Sequence, residues 1–456
     1  MRLLAALLAL SFAGTALADK VDDVIRAQMA ANHIPGVTLL VKKGDRVLKR
    51  TAYGLADIEL NVPMKPEMLL ETGSIGKTFT AVDVMRLVEA GKLSLEDSVT
   101  KYVPEGAPKW DGITVRMLLT HTSGIPDYAL VDGLRLTELW EVKDFLKKMP
   151  TLPFDATPGT SWQYSNSNYV LLGLIVEKLT GKSVLDYTVE TVFKPLGMTR
   201  SMVLDYSALI PNRAAGYYLA STGLINAPQT HGGTGDGAML TTVDDLATFE
   251  RAFRDGKLVS PEHVKLMRTR FALPNGHMPF YGCGWFVRNT NHLVQYSHAG
   301  ASAGYGATIS YFPAKDMTVA IMGNVYGGIG DDTARLVAEA LEPSLKAPRL
   351  KAATDPDPTR TNGLLSLAQE IASGKPPKNG LDPDYASRLA TPRGRMGIAG
   401  MKPFTSMKSL AFLESEQDGT DLILRYRAHL DSKPWLVSFV LNKDGQLYSA
   451  GTRAEG

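Results

Sequence analysis

A serine and a lysine three residues apart form the first pattern with chemical potential. They lie in Gly73-Ser74-Ile75-Gly76-Lys77, directly before an apolar stretch that predicts a helix over residues 78–91. Residues three apart share one face of a helix, so the Lys77 amine can reach the Ser74 hydroxyl and take its proton. The amino end of the helix favours negative charge near Ser74, whose amide could donate to an oxyanion. A capped helix start with an exposed lysine explains the pair equally well, so the pattern needs support from elsewhere.

A second segment, Tyr164-Ser165-Asn166, follows a Pro-Gly-Thr turn and precedes an apolar stretch that predicts a helix over residues 169–179. A phenol near a lysine can shuttle a proton. A side-chain amide can hold a substrate carbonyl. Taken alone, a core aromatic and a helix cap would account for the same residues.

A third segment, His298-Ala299-Gly300-Ala301, follows a predicted strand over residues 292–297. A glycine at a strand end lets another backbone approach closely. The amide of Ala301 could then supply a second oxyanion donor beside that of Ser74. By itself, His298 also fits a structural histidine at a strand end.

In their order along the chain, the three segments resemble the motifs of the serine β-lactamase and penicillin-binding protein superfamily, in its class C, esterase and D-aminopeptidase branch. The resemblance covers about residues 20–342 and includes stretches such as Leu118-Leu119-Thr120-His121-Thr122-Ser123-Gly124. The matching positions are Ser74 and Lys77 for S-x-x-K, Tyr164 and Asn166 for Y-x-N, and His298-Ala299-Gly300 for K-T-G.

The resemblance implies covalent hydrolysis of an ester, lactam or peptide carbonyl. Ser74 would be the nucleophile, with Lys77 and Tyr164 carrying its proton to the leaving group. The amides of Ser74 and Ala301 would hold the oxyanion, and Asn166 would orient the substrate. With His298 and Gly300 on the neighbouring strand, these residues make up the candidate site.

His298 departs from the lysine that β-lactamases and carboxypeptidases of the superfamily usually carry. A free lysine, with a pKa of about 10.4, is charged at pH 7, whereas a histidine near 6.5 is mostly neutral. Charge-assisted hydrogen bonds are roughly twice as strong as neutral ones, so a neutral imidazole should hold a substrate carboxylate less well. We therefore expect hydrolysis of small esters or D-amino-acid amides and peptides. A β-lactamase or D-alanyl-D-alanine carboxypeptidase is the alternative enzyme, and a non-hydrolytic acylated sensor or scaffold is the alternative of another class.

The elements that must position these residues follow from the hydrophobic pattern. Residues 36–41 and 46–53 predict a hairpin near the amino end, and residues 306–312 and 318–322 predict antiparallel strands later in the chain. A mostly helical block lies between them, and a helix is expected over residues 331–341. The predicted fold is therefore α+β: an antiparallel sheet flanked by helices, with an inserted helical subdomain.

The composition is that of an ordinary globular protein, with 456 residues, 44% of them hydrophobic and 21% charged. A formal net charge of +2 gives no reason to expect nucleic acid as a partner. The single cysteine, Cys283, reads as a small buried hydrophobe, and His121 as structural. Neither the cysteine count nor the histidine spacing indicates a metal site, so we expect no metal or other cofactor. The partner is expected to be a small ester, amide or lactam substrate. The sequence does not indicate an oligomeric state.

The first residues resemble a cleavable signal peptide. Arg2 precedes an apolar stretch, and Ala16-Leu17-Ala18 offers small residues for cleavage before Asp19. The sequence therefore predicts a periplasmic or secreted protein without a stable membrane anchor, cleaved after Ala18. In the rest of the chain no apolar run of 18 residues predicts a membrane-spanning helix.

A proline-rich, polar stretch over residues 346–361 predicts a linker. The expected domains are thus a signal peptide (1–18), the β-lactamase-like hydrolase domain (19–345), this linker, and a small α+β domain (362–456). Asp418-Gly419 and Asp444-Gly445 mark hairpin turns in the last of these. The sequence leaves three roles open for it: a binding domain, a lid over the cleft, or a dimerisation element.

Overall fold

The computed structural model describes residues 20–205, 207–228, 234–237, 239–290, 293–375 and 377–455. The predicted signal peptide, residues 1–18, lies outside these ranges. Within them, no helix has the length and apolarity that crossing a membrane would require.

The helices and strands are numbered here in chain order. The helices are α1 (described over 20–31), α2 (Gly76–Glu89), α3 (Val115–Leu119), α4 (Val142–Lys148), α5 (Asn166–Thr180), α6 (Val184–Thr188), α7 (Lys194–Leu196), α8 (Val243–Arg254), α9 (Pro261–Met267), α10 (Asp331–Leu341), α11 (Pro358–Ala372), α12 (Pro383–Ala390) and α13 (Pro392–Gly400). The strands are β1 (Gly36–Lys43), β2 (Arg46–Asp57), β3 (Val62–Pro63), β4 (Leu70–Glu71), β5 (Met202–Val203), β6 (Tyr217–Ala220), β7 (Gly223–Asn226), β8 (Met239–Thr241), β9 (Phe286–Thr290), β10 (Leu293–Ser302), β11 (Tyr305–Phe312), β12 (Met317–Gly323), β13 (Ala411–Asp418), β14 (Asp421–Leu430), β15 (Lys433–Leu441) and β16 (Leu447–Ala454).

The main sheet joins the two ends of the first 345 residues. Its order is β3-β2-β1-β12-β11-β10-β9, and its pairs are antiparallel. The junction is the β1–β12 pair, where Val37 faces Gly323 and Lys43 faces Met317. The expected fold, an antiparallel sheet closed from both ends around an inserted helical block, is confirmed.

Alternation of side chains places helices on both faces of this sheet. Leu39 and Ile321 lie in the core formed with α1 and α10, where Val21 is fully buried. Leu40 and Met322, one position along the chain in each strand, lie in the larger core formed with the inserted helices. The sheet is therefore buried on both faces by helices.

β10 extends beyond its predicted limits. Pairing with β11 continues through Ala299 opposite Thr308 and Ser302 opposite Tyr305. His298, Gly300 and Ala301 thus lie within a strand and not at its end. The small residues of this segment have low strand propensity, which hides the extension from the sequence pattern.

The carboxy-terminal part is a four-stranded antiparallel sheet, in the order β13-β14-β15-β16, packed against α11 to α13. It has a core of its own, in which Phe404, Tyr426, Val437 and Phe439 are fully buried. Helix α11 begins at Pro358, inside the stretch described above as a linker, because Asp357 caps it through the amide of Arg360.

Candidate active site

The nucleophile candidate lies in a short 3-10 turn, Gly73–Ile75, that runs directly into α2. Lys77 follows in the first turn of α2, and its Nζ lies 2.9 Å from Ser74 Oγ. The Lys77 side chain is fully buried. The structure therefore brings Ser74 and Lys77 within the hydrogen-bond distance that proton transfer requires.

Two further acceptors fix the Lys77 amine. Nζ donates to Asn166 Oδ1 at 2.7 Å and to the backbone oxygen of Asp236 at 2.9 Å. With Ser74 Oγ, Nζ has three hydrogen-bond partners, and in a neutral amine its two N–H bonds would donate to Asn166 and Asp236 while its lone pair faces Ser74. Nζ is thus held against the serine hydroxyl by elements distant in sequence. Asp236 could not be predicted from the sequence, because it acts through its backbone oxygen, which every residue type has.

Tyr164 approaches Lys77 through its ring. The ring centroid lies 5.2 Å from Lys77 Nζ, a cation–π distance, and 6.4 Å from the imidazole of His298. Tyr164 also lines the same cavity as Ser74. The structure brings the predicted proton carrier into the site, and the contact it shows between Tyr164 and Lys77 is to the face of the ring.

Asn166 is the first residue of α5, and its amide is engaged within the protein. Oδ1 accepts from Lys77, while Nδ2 donates to both carboxylate oxygens of Asp127 at 3.1 and 3.2 Å. The backbone N–H of Asn166 also donates to Asp127, at 3.1 Å. The amide predicted to orient substrate thus connects Lys77 to a buried carboxylate.

Asp127 in turn pairs with a residue of the carboxy-terminal part. The Arg393 guanidinium, from α13, forms an ion pair with Asp127 and lies 5.3 Å from the centroid of the Tyr164 ring. The Asp127 side chain is only 2% exposed, whereas that of Arg393 is 37% exposed. A buried carboxylate needs a counter-charge or several donors, and here α13 supplies the counter-charge. Sequence reasoning missed Arg393, since nothing local connects it to the three motifs.

Two glycines allow β10 to run against the nucleophile turn. A Cβ on Gly300 would lie 1.9 Å from Thr72 O and 2.9 Å from Ser74 N. A Cβ on Gly73, whose φ is +49°, would lie 2.6 Å from Ala301 N. Only glycine permits such an approach at Gly300. The nitrogen atoms of Ser74 and Ala301 therefore both lie at this contact, next to each other as the two donors of an oxyanion site would have to be.

His298 is neutral. It is fully buried, its Nδ1 donates to Ala299 O at 2.7 Å, and its Nε2 accepts from the Tyr281 hydroxyl at 3.0 Å. Burial, and next the charge of Lys77, lower the pKa of His298 to about 3. The position that matches the lysine of the K-T-G motif therefore provides no positive charge, and both ring nitrogens are already engaged.

Two residues interpreted as structural lie close by. Burial raises the pKa of the fully buried Cys283 thiol to about 12, which suppresses the thiolate. His121 is also fully buried, and its Nδ1 accepts from Ser165 N at 3.2 Å. Burial, followed by Lys77, lowers the pKa of His121 well below its usual range. Its ring packs 4.3 Å from that of Tyr164, so it supports the position of that side chain.

Ser74 lies where two cavities of very different size meet. The larger, about 640 Å³, is walled by Trp162, Tyr164 and Phe286 and by residues of α12 and α13, including Arg393. The smaller, about 70 Å³, is lined by residues that include Glu71 and Asp236. A substrate at Ser74 thus has much room on one side of its carbonyl and little on the other.

Comparison with known families and sequences agrees with this geometry. A family model described as Beta-lactamase matches residues 21–342. Protein flp of Staphylococcus aureus (strain COL) is 29% identical over 318 residues, which are 67% of this chain and 63% of that protein. The chain therefore spans less than two thirds of the length of this relative.

Solved structures extend the likeness. The octameric penicillin-binding protein homologue from Pyrococcus abyssi aligns over 96% of both chains, with a TM-score of 0.65 and 26% identity. A D-stereospecific amidohydrolase from Streptomyces sp. aligns over 71% of this chain and 98% of its own, with a TM-score of 0.61 and 26% identity. The likeness to the Pyrococcus protein thus includes the carboxy-terminal part. With the matched segments gathered around one serine and the family model spanning most of the chain, this protein belongs to the Beta-lactamase family.

Proposed function

We propose that this protein is a serine hydrolase that forms an acyl-enzyme on Ser74, with small esters or D-amino-acid amides and peptides as substrates. The observation that carries the proposal is the 2.9 Å contact between Lys77 Nζ and Ser74 Oγ at the meeting point of two cavities. A hydroxyl so placed can be deprotonated as it attacks a carbonyl carbon.

The proposed reaction has two halves. In the first, neutral Lys77 takes the Ser74 proton while Oγ bonds to the carbonyl carbon, and the Ser74 and Ala301 amides hold the oxyanion. The bond to the leaving group then breaks, and the leaving group receives the proton from Lys77, directly or through the Tyr164 hydroxyl. In the second half, water takes the place of the leaving group and releases the acyl chain.

The neighbours of Ser74 support the choice of substrates. His298 is neutral and fully engaged, so a carboxylate next to the scissile bond finds no cation there. The small cavity also has two acidic residues in its lining, Glu71, which pairs with Arg213, and Asp236, which accepts from the Tyr128 hydroxyl, so its surroundings are acidic where an ammonium group of a D-amino acid would lie. The printed name of the Streptomyces relative, a D-stereospecific amidohydrolase, points the same way.

A three-substrate comparison tests the proposal. Purified protein, Ser74→Ala and the control Ser406→Ala, which alters an exposed serine of the carboxy-terminal part, are assayed on p-nitrophenyl acetate, D-alanine p-nitroanilide and nitrocefin. We expect turnover of the first two that is lost only in Ser74→Ala. Equal rates for all three proteins would refute Ser74 as nucleophile.

The same assay separates the alternatives. Strong nitrocefin turnover with weak ester turnover would favour a β-lactamase or carboxypeptidase. A stable acyl adduct without turnover, detected by intact-protein mass spectrometry, would favour a sensor or scaffold.

We also propose export, on the basis of the predicted signal peptide. Amino-terminal sequencing of the protein from cell fractions should show a chain that starts at Asp19 outside the cytoplasm. A cytoplasmic protein that retains Arg2 would contradict this.

A further inference from the structure

A second large cavity, about 510 Å³, lies between the catalytic part and the carboxy-terminal sheet. Side chains alternate along β15: Val437 and Phe439 are fully buried in the carboxy-terminal core, whereas Leu436, Ser438 and Val440 line this cavity. The sheet thus packs its helices with one face and presents the other to the cavity. We call this space the interdomain cavity.

The interdomain cavity combines apolar and cationic groups. Its apolar lining includes Ile423, Leu436 and Phe280, and no aspartate or glutamate is found among its described lining residues. Its four arginines are Arg288, Arg388, Arg425 and Arg453. Three of them form ion pairs with carboxylates outside the lining. Arg288 pairs with Asp331 at 3.3 Å, Arg388 with Asp384 at 3.1 Å, and Arg425 with Glu414 at 2.6 Å.

Arg453, in β16, differs from the other three. Within the described part of the chain it makes no ion pair, and its side chain is half-buried. Burial, followed by Arg335, lowers the pKa of Arg453, although Asp332, Glu339 and Glu455 act in the opposite direction. The guanidinium stays charged at neutral pH. A half-buried guanidinium that no carboxylate contacts directly has hydrogen-bond donors left for an anionic ligand.

Specific contacts join the two walls of the interdomain cavity and so fix the distance between them. Arg270 pairs with Asp418 at 2.8 Å, in the turn that ends β13. His277, itself part of the lining, contacts Asp421. Beside the active-site cavity, Gln163 Nε2 donates to Thr391 Oγ1 at 3.3 Å. The gap is therefore framed by contacts that a loosely docked domain would lack.

The interdomain cavity adjoins the active-site cavity. Trp162, Phe286 and Arg388 line both, so these three side chains form the boundary between the two spaces. We infer that an extended molecule bound at Ser74 reaches the interdomain cavity past the two aromatic rings, with Arg453 farther along its lining.

We propose that the interdomain cavity binds the distal part of the substrate, and that this part is an apolar stem ending in a carboxylate. This rests on the proposed hydrolase function and names the substrate class for it. The carboxylate is recognised far from the scissile bond, by the carboxy-terminal domain, and not at the position of His298.

Paired esters test the proposal on the full-length enzyme. The mono-p-nitrophenyl esters of succinate, adipate and sebacate are compared with those of butanoate, hexanoate and decanoate. We expect kcat/KM to favour the distal carboxylate by roughly tenfold for one or more of the longer pairs, mainly through KM, which corresponds to one charge-assisted contact. Arg453→Gln should abolish this ratio, and Arg453→Lys should restore part of it. Arg46→Gln, at an exposed position of β2 and outside the lining, should leave it unchanged.

Each variant is judged by the ratio between paired esters, so a general loss of activity does not mimic the effect. Ser74-dependent hydrolysis with ratios near one for every pair would overturn this inference and leave the hydrolase proposal intact. Absence of Ser74-dependent hydrolysis would instead refute the hydrolase proposal. In that case Ser74→Ala is titrated with decanoate and decanamide by calorimetry. Preference for decanoate that Arg453→Gln removes would preserve the anion site, and equal binding would overturn it.

Discussion

The two ends of the hydrogen-bond chain through Lys77 are built in different ways. At one end Ser74 and Lys77 are three residues apart and meet at the start of one helix. At the other, Asp127 and Arg393 are 266 residues apart and meet only because α13 docks onto the catalytic part. Asn166 joins the two ends by accepting from Lys77 and donating to Asp127.

The two ends therefore depend on the rest of the molecule in different ways. The Ser74–Lys77 contact follows from helix geometry and the surrounding core, so it should tolerate changes in domain docking. The Asp127–Arg393 contact balances a buried carboxylate, so loss of docking should act on Lys77 indirectly, through Asn166. The chemistry is local, whereas the polarity around it is shared between domains.

The largest effect is expected at the local end. Lys77→Met removes the proton acceptor and leaves Asn166 Oδ1 without its donor, so kcat/KM on p-nitrophenyl acetate should fall by about a thousandfold or more. The control Lys178→Met, at an exposed position of α5, should match the unmodified protein. Activity of Lys77→Met within tenfold of the unmodified protein would show that another base serves Ser74.

A backbone contact gives the next largest effect. Gly300→Ala places a methyl group 1.9 Å from Thr72 O, so β10 must move away from the nucleophile turn. We expect kcat to fall by about a hundredfold, the size typical of a lost oxyanion donor, together with a lower Tm. Gly451→Ala in β16 meets no atom within 4 Å and should change neither. Normal kcat in Gly300→Ala would separate the strand from the oxyanion site.

The distant end should respond less. Arg393→Met leaves Asp127 buried without its counter-charge, and we expect kcat/KM to fall by roughly tenfold. Combining it with Asp127→Asn should give less than the sum of the two single effects, because both act on one pair. Arg395→Met, an exposed neighbour in α13, is the control. Strict additivity in the double variant would break the proposed connection between the domains.

At neutral pH the smallest effect is expected at His298, where it concerns stability and grows as the pH falls. The folded pKa, about 3, lies below the unfolded value of about 6.5, so the unfolded state binds more protons between these limits. His298 should therefore destabilise the protein as the pH falls from 6.5 towards 3, by up to about 1.4 kcal/mol per pH unit. The measurement is the free energy of unfolding of His298→Gln minus that of the unmodified protein, across this range. The difference is needed because burial raises the pKa of Asp83 to about 7, and this acts in the opposite direction.

An outcome without pH dependence in that difference would mean that His298 is solvated or charged in the folded protein. The proposed substrate preference would then have to be revised, since a charged His298 could hold a carboxylate beside the scissile bond.

The sequence by itself determined the elements and the local chemistry. Apolar stretches around Leu39 and Ile321, next to turn residues, predicted strands, and the spacing of Ser74 and Lys77 predicted their contact, because each signal depends only on residues close together in the chain. The helix over residues 331–341 was likewise confirmed, at α10. The gathering of three distant segments was expected from the family resemblance, not from the residues alone.

Which polar groups surround Lys77, and how strongly the pKa of His298 is lowered, depend on the tertiary structure. The backbone oxygen of Asp236, the Asp127–Arg393 pair and the lowered pKa of His298 all depend on contacts between residues far apart in the chain. Burial sets the charge of such groups, and burial is a property of the packed molecule. The interdomain cavity with Arg453 belongs to the same class, since a cavity exists only once two folded surfaces meet.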